Sequence, residues 1–159
     1  MISVLFVCTG NQYRSPIAAA AFLEQLVNDG IQTQWQVTSA GTWTATGHRA
    51  PKEAVELARS FGLNIEGHVT HVLDAEMLEE ADLILVMEKG HKESIQFEFP
   101  FVQRKVHLLS DVAEGIPYDI PDPLGTGEEA REIIRDMVAL IRLGCRNIYR
   151  IAESIQSPF

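Results

Sequence analysis

The sequence has almost no cysteine: Cys8 and Cys145 are its two thiols in 159 residues. Two cysteines cannot build a disulfide framework, so the fold must rest on a hydrophobic core, and unpaired thiols predict a reducing, cytoplasmic setting. Long apolar runs are missing too. No stretch approaches the roughly 20 apolar residues of a membrane-spanning helix. The N-terminal run Ile2-Ser3-Val4-Leu5-Phe6-Val7 is too short for a secretory leader and has no basic segment before it. Positive charge is scarce: 13 Lys and Arg against 22 Asp and Glu leave a net charge of -9. That balance excludes nucleic acid and an anionic membrane as main partners, since both demand a basic footprint. An anion site on such a chain has to be local and built from oriented donors. Repeats, low-complexity tracts and linkers are absent, so residues 1–159 read as a single domain. With 46% hydrophobic residues, a chain of this length can bury a core without staples.

What is present is an alternation of strand-like and helix-like segments. Ile2 to Val7 is a continuous apolar, β-branched run, typical of a strand covered on both faces. Thr9 to Tyr13 is turn-like, and Ser15-Pro16 predicts a helix start with serine as the cap. Asn28-Asp29-Gly30 stops that helix. A second strand is expected over Gln34 to Ser39, broken by Ala40-Gly41, then helices at Pro51 to Phe61 and Asp74 to Glu79. A buried strand at Leu83 to Met87, a helix at Lys89 to Phe97 and a last strand at Lys105 to Leu109 follow. Gly115 to Gly127, rich in proline and glycine, reads as a loop. A long helix from Glu128 to Ile155 carries one apolar stripe that includes Cys145, read as a buried core thiol. This order predicts an α/β fold, a parallel sheet with helices on both faces. Ligands of such sheets bind outside the carboxyl ends of the strands. The first strand ends at Val7, and the next residue is Cys8.

Cys8-Thr9-Gly10-Asn11-Gln12-Tyr13-Arg14-Ser15 sets a cysteine and an arginine, with five residues between them, between a strand and a helix. A loop that turns into a helix N-terminus aims successive backbone N–H groups at one centre, a nest for a tetrahedral anion. The Arg14 guanidinium adds two parallel donors for phosphate oxygens. The same positive field favours Cys8 as a thiolate, which a Ser15 hydroxyl can stabilise further. Gly10 allows close backbone approach, and Asn11 tolerates the left-handed conformation such loops use. A lone cysteine behind a buried strand is more often inert core; the strand, glycine and helix start around it are what point to chemistry. Phosphoryl transfer through sulfur needs a proton donor for the leaving oxygen. Asp122, between Pro121 and Pro123 on a loop expected to return to the same sheet edge, is the candidate, although an Asp-Pro pair by itself is usually a turn.

Together Cys8-Thr9-Gly10-Asn11, Arg14-Ser15-Pro16, Ser39-Ala40-Gly41 and Asp122-Pro123 resemble the low-molecular-weight protein tyrosine phosphatase family, in order and across essentially the whole chain. The resemblance implies a four-stranded parallel sheet, no metal or cofactor, and a phosphocysteine intermediate. It makes Cys8 the nucleophile, Arg14 the phosphate clamp and Asp122 the general acid and base, with Asn11, Ser15, Ser39 and His68 bracing the loop. A solvated loop position is the plain alternative for His68. The implied partner is a phosphorylated protein or peptide, met by a monomer or weak dimer. The chain departs from the family at Gln12 and Tyr13, where a small or hydrophobic residue and a cysteine are common. A protective disulfide within the loop is therefore impossible. Leu124-Gly125 stand where aromatic residues often follow Asp-Pro. Leu124 and Trp43 are candidate walls for the substrate, with a core position the alternative for Trp43. A polar Gln12 favours a non-aryl phosphate such as phosphoarginine, which some relatives hydrolyse. Two other readings compete. An arsenate reductase would need further exchanging cysteines, and only Cys145 is left. A phosphate-binding module without turnover would explain Gln12, Tyr13 and Leu124, but not the full set of nucleophile, clamp and acid.

Overall fold

Buried backbone N–H and C=O groups must find partners, and the apolar N-terminal run meets that demand as an inner strand. The computed structural model describes residues 1–123 and 127–156. Strand β1 (Ile2–Cys8) pairs in parallel with β2 (Trp35–Gly41) on one side and β3 (Leu83–Val86) on the other, and β4 (Val106–Leu108) adds outside β3. The sheet order is β2-β1-β3-β4. Because side chains alternate along a strand, Val4, Phe6 and Cys8 enter one core while Leu5 and Val7 enter the other.

Helices cover both faces. On the Cys8 side lie α1 (Arg14–Asn28), α2 (Lys52–Ser60), α5 (Leu109–Glu114) and the long α6 (Glu128–Gln156). A cluster of Phe6, Phe22, Trp35 and Tyr149, with ring centroids 5.4–5.7 Å apart, ties β1, α1, β2 and α6 together; such tilted aromatic pairs add stability beyond their buried area. On the opposite side α3 (Ala75–Glu80) buries Leu78 and α4 (Lys89–Glu98) buries Ile95 against Leu5, Val7, Ile84 and Val86. Cys145 is buried in the α6 stripe, as its spacing predicts. Among the described residues no helix is long and apolar enough to cross a membrane.

Three local expectations change. Helix α1 begins at Arg14, with Tyr13 at the cap and no side-chain cap bond, so Ser15 is not the cap: its hydroxyl is turned to the Cys8 sulfur instead. Strand β2 does not break at Ala40-Gly41 but runs through both, with Gly41 paired to Cys8. Its last residue is held by Gly41 N–H donating to His71 O and Leu73 N–H donating to Gly41 O. Finally, the residues after β4 form the short helix α5, which Gly115 ends in the left-handed conformation at φ 78°. Six residues carry too little periodicity for that helix to announce itself.

Candidate active site

The site is built where β1 hands over to α1. Residues 9–13 form an irregular turn in which Asn11 takes φ 57°, the only positive φ at a non-glycine position among the described residues. That conformation costs energy unless the surroundings over-determine it, and here they do. The buried Asn11 amide donates through Nδ2 to Ser15 Oγ (2.7 Å) and Ser39 Oγ (3.0 Å), while Oδ1 accepts from His71 N–H (2.9 Å). Its carbonyl accepts from His68 Nε2 at 2.7 Å. A carbonyl has no proton to give, so His68 carries its proton on Nε2. Burial, aided by nearby His71, holds that imidazole below the usual histidine range despite the bond to Asn11. His68 is thus half-buried and hydrogen-bonded to the cysteine loop.

The sulfur belongs to Cys8, a residue only 2% exposed. It lies 3.0 Å from Ser15 Oγ and accepts from Asn11 N–H at 3.3 Å. Ser15 Oγ accepts from Asn11 Nδ2, and its own proton has two acceptors in reach, the sulfur at 3.0 Å and Ala40 O at 3.4 Å. Both contacts bring a polar group up to the sulfur.

Arg14 is among the largest fully buried side chains, and a buried cation needs a partner. Its Nη1 donates to Glu88 Oε2 (2.6 Å) and to Ile120 O (2.8 Å), and its Nη2 stands 3.7 Å from Asp122 Oδ2. The loop that carries Asp122 is pinned to the end of β3: Ile120 N–H donates to Met87 O (2.9 Å) and Lys89 N–H to Asp119 Oδ1 (2.8 Å). The guanidinium therefore joins the cysteine loop to the acid loop. Cys8, Thr9, Gly10, Gln12, Tyr13, Arg14 and Asp122 line one cavity of about 210 Å³. A larger cavity of about 780 Å³ is lined by Ser39, His68 and His71 among others; its lining has neither cysteine nor arginine, so the sulfur chemistry belongs to the smaller one. Tyr13 keeps its phenol proton, its acidity weakened by burial and by the carboxylates of Glu53 and Asp122.

Trp43 is 84% exposed, so it is not a core residue. Its backbone N–H donates to Thr9 O at 3.0 Å, which puts it beside the cysteine loop. Leu124 lies outside the described residues. Gly10 has an ordinary φ, and a Cβ there would meet only the Gln12 side chain at 3.9 Å. Beside the site, the glycine that packing requires is Gly41, where a Cβ would come 2.5 Å from Thr9 O; away from it Gly144 is as tightly held, 2.5 Å from Ala113 O.

Sequence reasoning missed Glu88, His91, His71 and the Ile120 carbonyl. One signal was available for Glu88: it follows Met87 directly after β3, on the same carboxyl edge as Cys8, where ligand groups of such sheets gather. The arrangement is a buried sulfur held by hydroxyl and amide donors, a guanidinium beside it, and a carboxylate, 40% exposed, across the cavity. It suits displacement on a tetrahedral anion with proton transfer to the departing group.

The family model described as low molecular weight phosphotyrosine protein phosphatase matches residues 3–157. The chain is 39% identical over 128 residues to a putative low molecular weight protein-tyrosine-phosphatase of Klebsiella pneumoniae, covering 80% of this chain and 83% of that one. It is 34% identical over 154 residues to a protein-arginine-phosphatase of Geobacillus stearothermophilus, covering 97% and 96%. The solved structure of the YwlE arginine phosphatase from that organism superposes with a TM-score of 0.83 at 30% identity, over 99% of this chain and 97% of that one.

Proposed function

The chain belongs to the low molecular weight phosphotyrosine protein phosphatase family, and from that premise we propose that it hydrolyses phosphotyrosine in proteins through a phosphocysteine intermediate. The observation that carries the reading is the convergence of Cys8, Arg14 and Asp122 on one small cavity. The Cys8 thiolate attacks phosphorus in line, forming the S–P bond as the P–O bond to the leaving group breaks. Asp122 gives its proton to the departing oxygen. The same carboxylate then takes a proton from water, whose oxygen displaces sulfur, releasing inorganic phosphate and regenerating the thiolate. Loop N–H groups and Arg14 offset the charge on the equatorial oxygens, which should be the largest rate effect. Glu88 and Ile120 hold Nη1, so the guanidinium is already oriented before substrate arrives. Thr9, Gly10, Gln12 and Tyr13 complete the cradle, and Trp43 offers an exposed aromatic face beside it for the substrate ring.

A second reading, hydrolysis of phosphoarginine, is favoured by Gln12. Its Oε1 reaches over Gly10 in the cavity lining, where a carbonyl oxygen is an acceptor for a guanidinium but not for a phenyl ring. The deciding experiment compares release of phosphate from phosphotyrosine, phosphoserine and phosphoarginine peptides by the wild type and Cys8→Ser. Turnover of the tyrosine peptide above the others, abolished in Cys8→Ser, is expected. A preference for phosphoarginine selects the second reading, and unchanged activity in Cys8→Ser rejects the sulfur mechanism.

A further inference from the structure

Two contacts at the end of β3 belong to no step above. The buried His91 imidazole, 7% exposed, sets Nε2 2.8 Å from Thr9 Oγ1 and Nδ1 3.1 Å from the Glu88 N–H. The second contact decides the first. An amide N–H only donates, so Nδ1 is bare, and the neutral ring carries its proton on Nε2, which donates to Thr9. The Glu88 carboxylate accepts from Arg14 Nη1 at 2.6 Å, and the same oxygen, Oε2, stands 3.6 Å from His91 Nε2. One imidazole therefore touches both arms of the cradle: the residue after the nucleophile and the anchor of the guanidinium.

We propose that His91 is a positioning residue of the phosphate cradle: neutral and protonated on Nε2, it holds Thr9 beside Cys8 and leaves the Glu88 carboxylate to Arg14, and its protonation undoes both. The proposal rests on reading this site as a phosphatase. The charged groups facing His91 are Arg14 from α1, Glu88 at the start of α4, and Asp119 and Asp122 from the acid loop. A proton on Nδ1 would point one donor at another, the Glu88 N–H, and break the bond that closes the start of α4. The resulting imidazolium would compete with Arg14 for Glu88 and place a second cation beside a buried guanidinium. Burial, and then the Arg14 charge, hold the imidazole below the ordinary histidine range, with the three carboxylates pulling the other way. The neutral form therefore prevails at neutral pH, and the change falls on the acid side of about 6.5.

Four variants test this. His91→Gln keeps a donor at the reach of Nε2 and cannot titrate; His91→Asn keeps an acceptor near the Glu88 N–H but falls short of Thr9; Thr9→Val deletes Oγ1 at constant shape; the fourth is Thr9→Val/His91→Asn. Each is assayed for kcat and KM on p-nitrophenyl phosphate and for calorimetric binding of inorganic phosphate, from about pH 5 to pH 8. We expect His91→Asn and Thr9→Val each to weaken phosphate binding and kcat by about tenfold, the ordinary worth of one lost hydrogen bond. The double variant should be no worse than the weaker single, and His91→Gln should keep near wild-type binding while losing part of the wild-type acid limb. Losses that multiply in the double variant, phosphate binding untouched by His91→Asn, or an unchanged acid limb in His91→Gln would each overturn the proposal. Should His91→Asn fail to fold, the isosteric Thr9→Val and the His91→Gln pH profile decide. A wild type that binds phosphate but hydrolyses no phosphomonoester would sink the proposed function, while the binding comparisons still judge His91.

Discussion

Gly41→Ala isolates the close approach between strand β2 and the cysteine loop. The φ of Gly41 is one that any residue adopts, so the substitution is a purely steric probe. The added Cβ would lie 2.5 Å from Thr9 O, 2.9 Å from Thr44 Cγ2 and 3.1 Å from Asn11 Cβ, where real Cβ atoms essentially never come within 3.0 Å. The Thr44 methyl can rotate away, but the Thr9 carbonyl is backbone and accepts from Trp43 N–H. Thr9 must therefore retreat by at least about half an ångström, carrying the neighbouring Cys8 with it. Misplacement of a reacting group by about 1 Å can cost roughly a hundredfold in rate, so a ten- to hundredfold fall in kcat/KM is expected. Overpacking costs about 1–3 kcal/mol, which is several degrees in Tm for a chain of this size. Gly10→Ala is the matched control. Its Cβ meets no backbone and would only fill the cavity, so it should weaken phosphate binding with Tm unchanged. The assays are p-nitrophenyl phosphate kinetics and thermal unfolding of both variants. A Gly41→Ala protein with wild-type kcat/KM and Tm would show that the loop is not held where this packing puts it.

Asp122→Ala should lower kcat mainly for esters with poor leaving groups and little for p-nitrophenyl phosphate; an equal loss across a leaving-group series would mean that Asp122 is not the proton donor. Stability should fall on the acid side of neutrality. His68, His91 and His107 are all held below the ordinary histidine range, chiefly by burial. Each keeps its full contribution above the unfolded value of about 6.5 and loses it as pH drops, because the unfolded chain takes up protons that the folded one resists. Urea unfolding in steps from about pH 7.5 to pH 5 should show a declining midpoint that His91→Gln flattens; a midpoint constant over that range would contradict the burial of these rings.

How much of the site was legible depended on whether a residue's role lay within one stretch of chain. Cys8, Gly10, Asn11 and Arg14 fall on a single strand–loop–helix turn, so their spacing, read with the flanking strand and helix start, points to an anion nest. The left-handed Asn11 was foreseeable for the same reason, since few side chains tolerate that φ. Ser15 misled because serine before proline is an ordinary helix cap in local terms; in the fold its hydroxyl sits 3.0 Å from the sulfur and accepts from Asn11. Trp43 could be core or surface on composition, and only the packing of the following loop on Thr9 put it outside.

Local pattern determined the α/β class, the parallel sheet and the placement of Cys8 and Arg14, because apolar periodicity and turn chemistry act between neighbours in the chain. Tertiary structure decided the rest. Glu88 and Ile120 reach Arg14, and His91 reaches Thr9, across sequence separations of 74, 106 and 82 residues. A hydrogen bond over such a distance has no periodicity to betray it. It exists only because three parallel strands end at one edge, where a buried cation and a strained asparagine must each find partners.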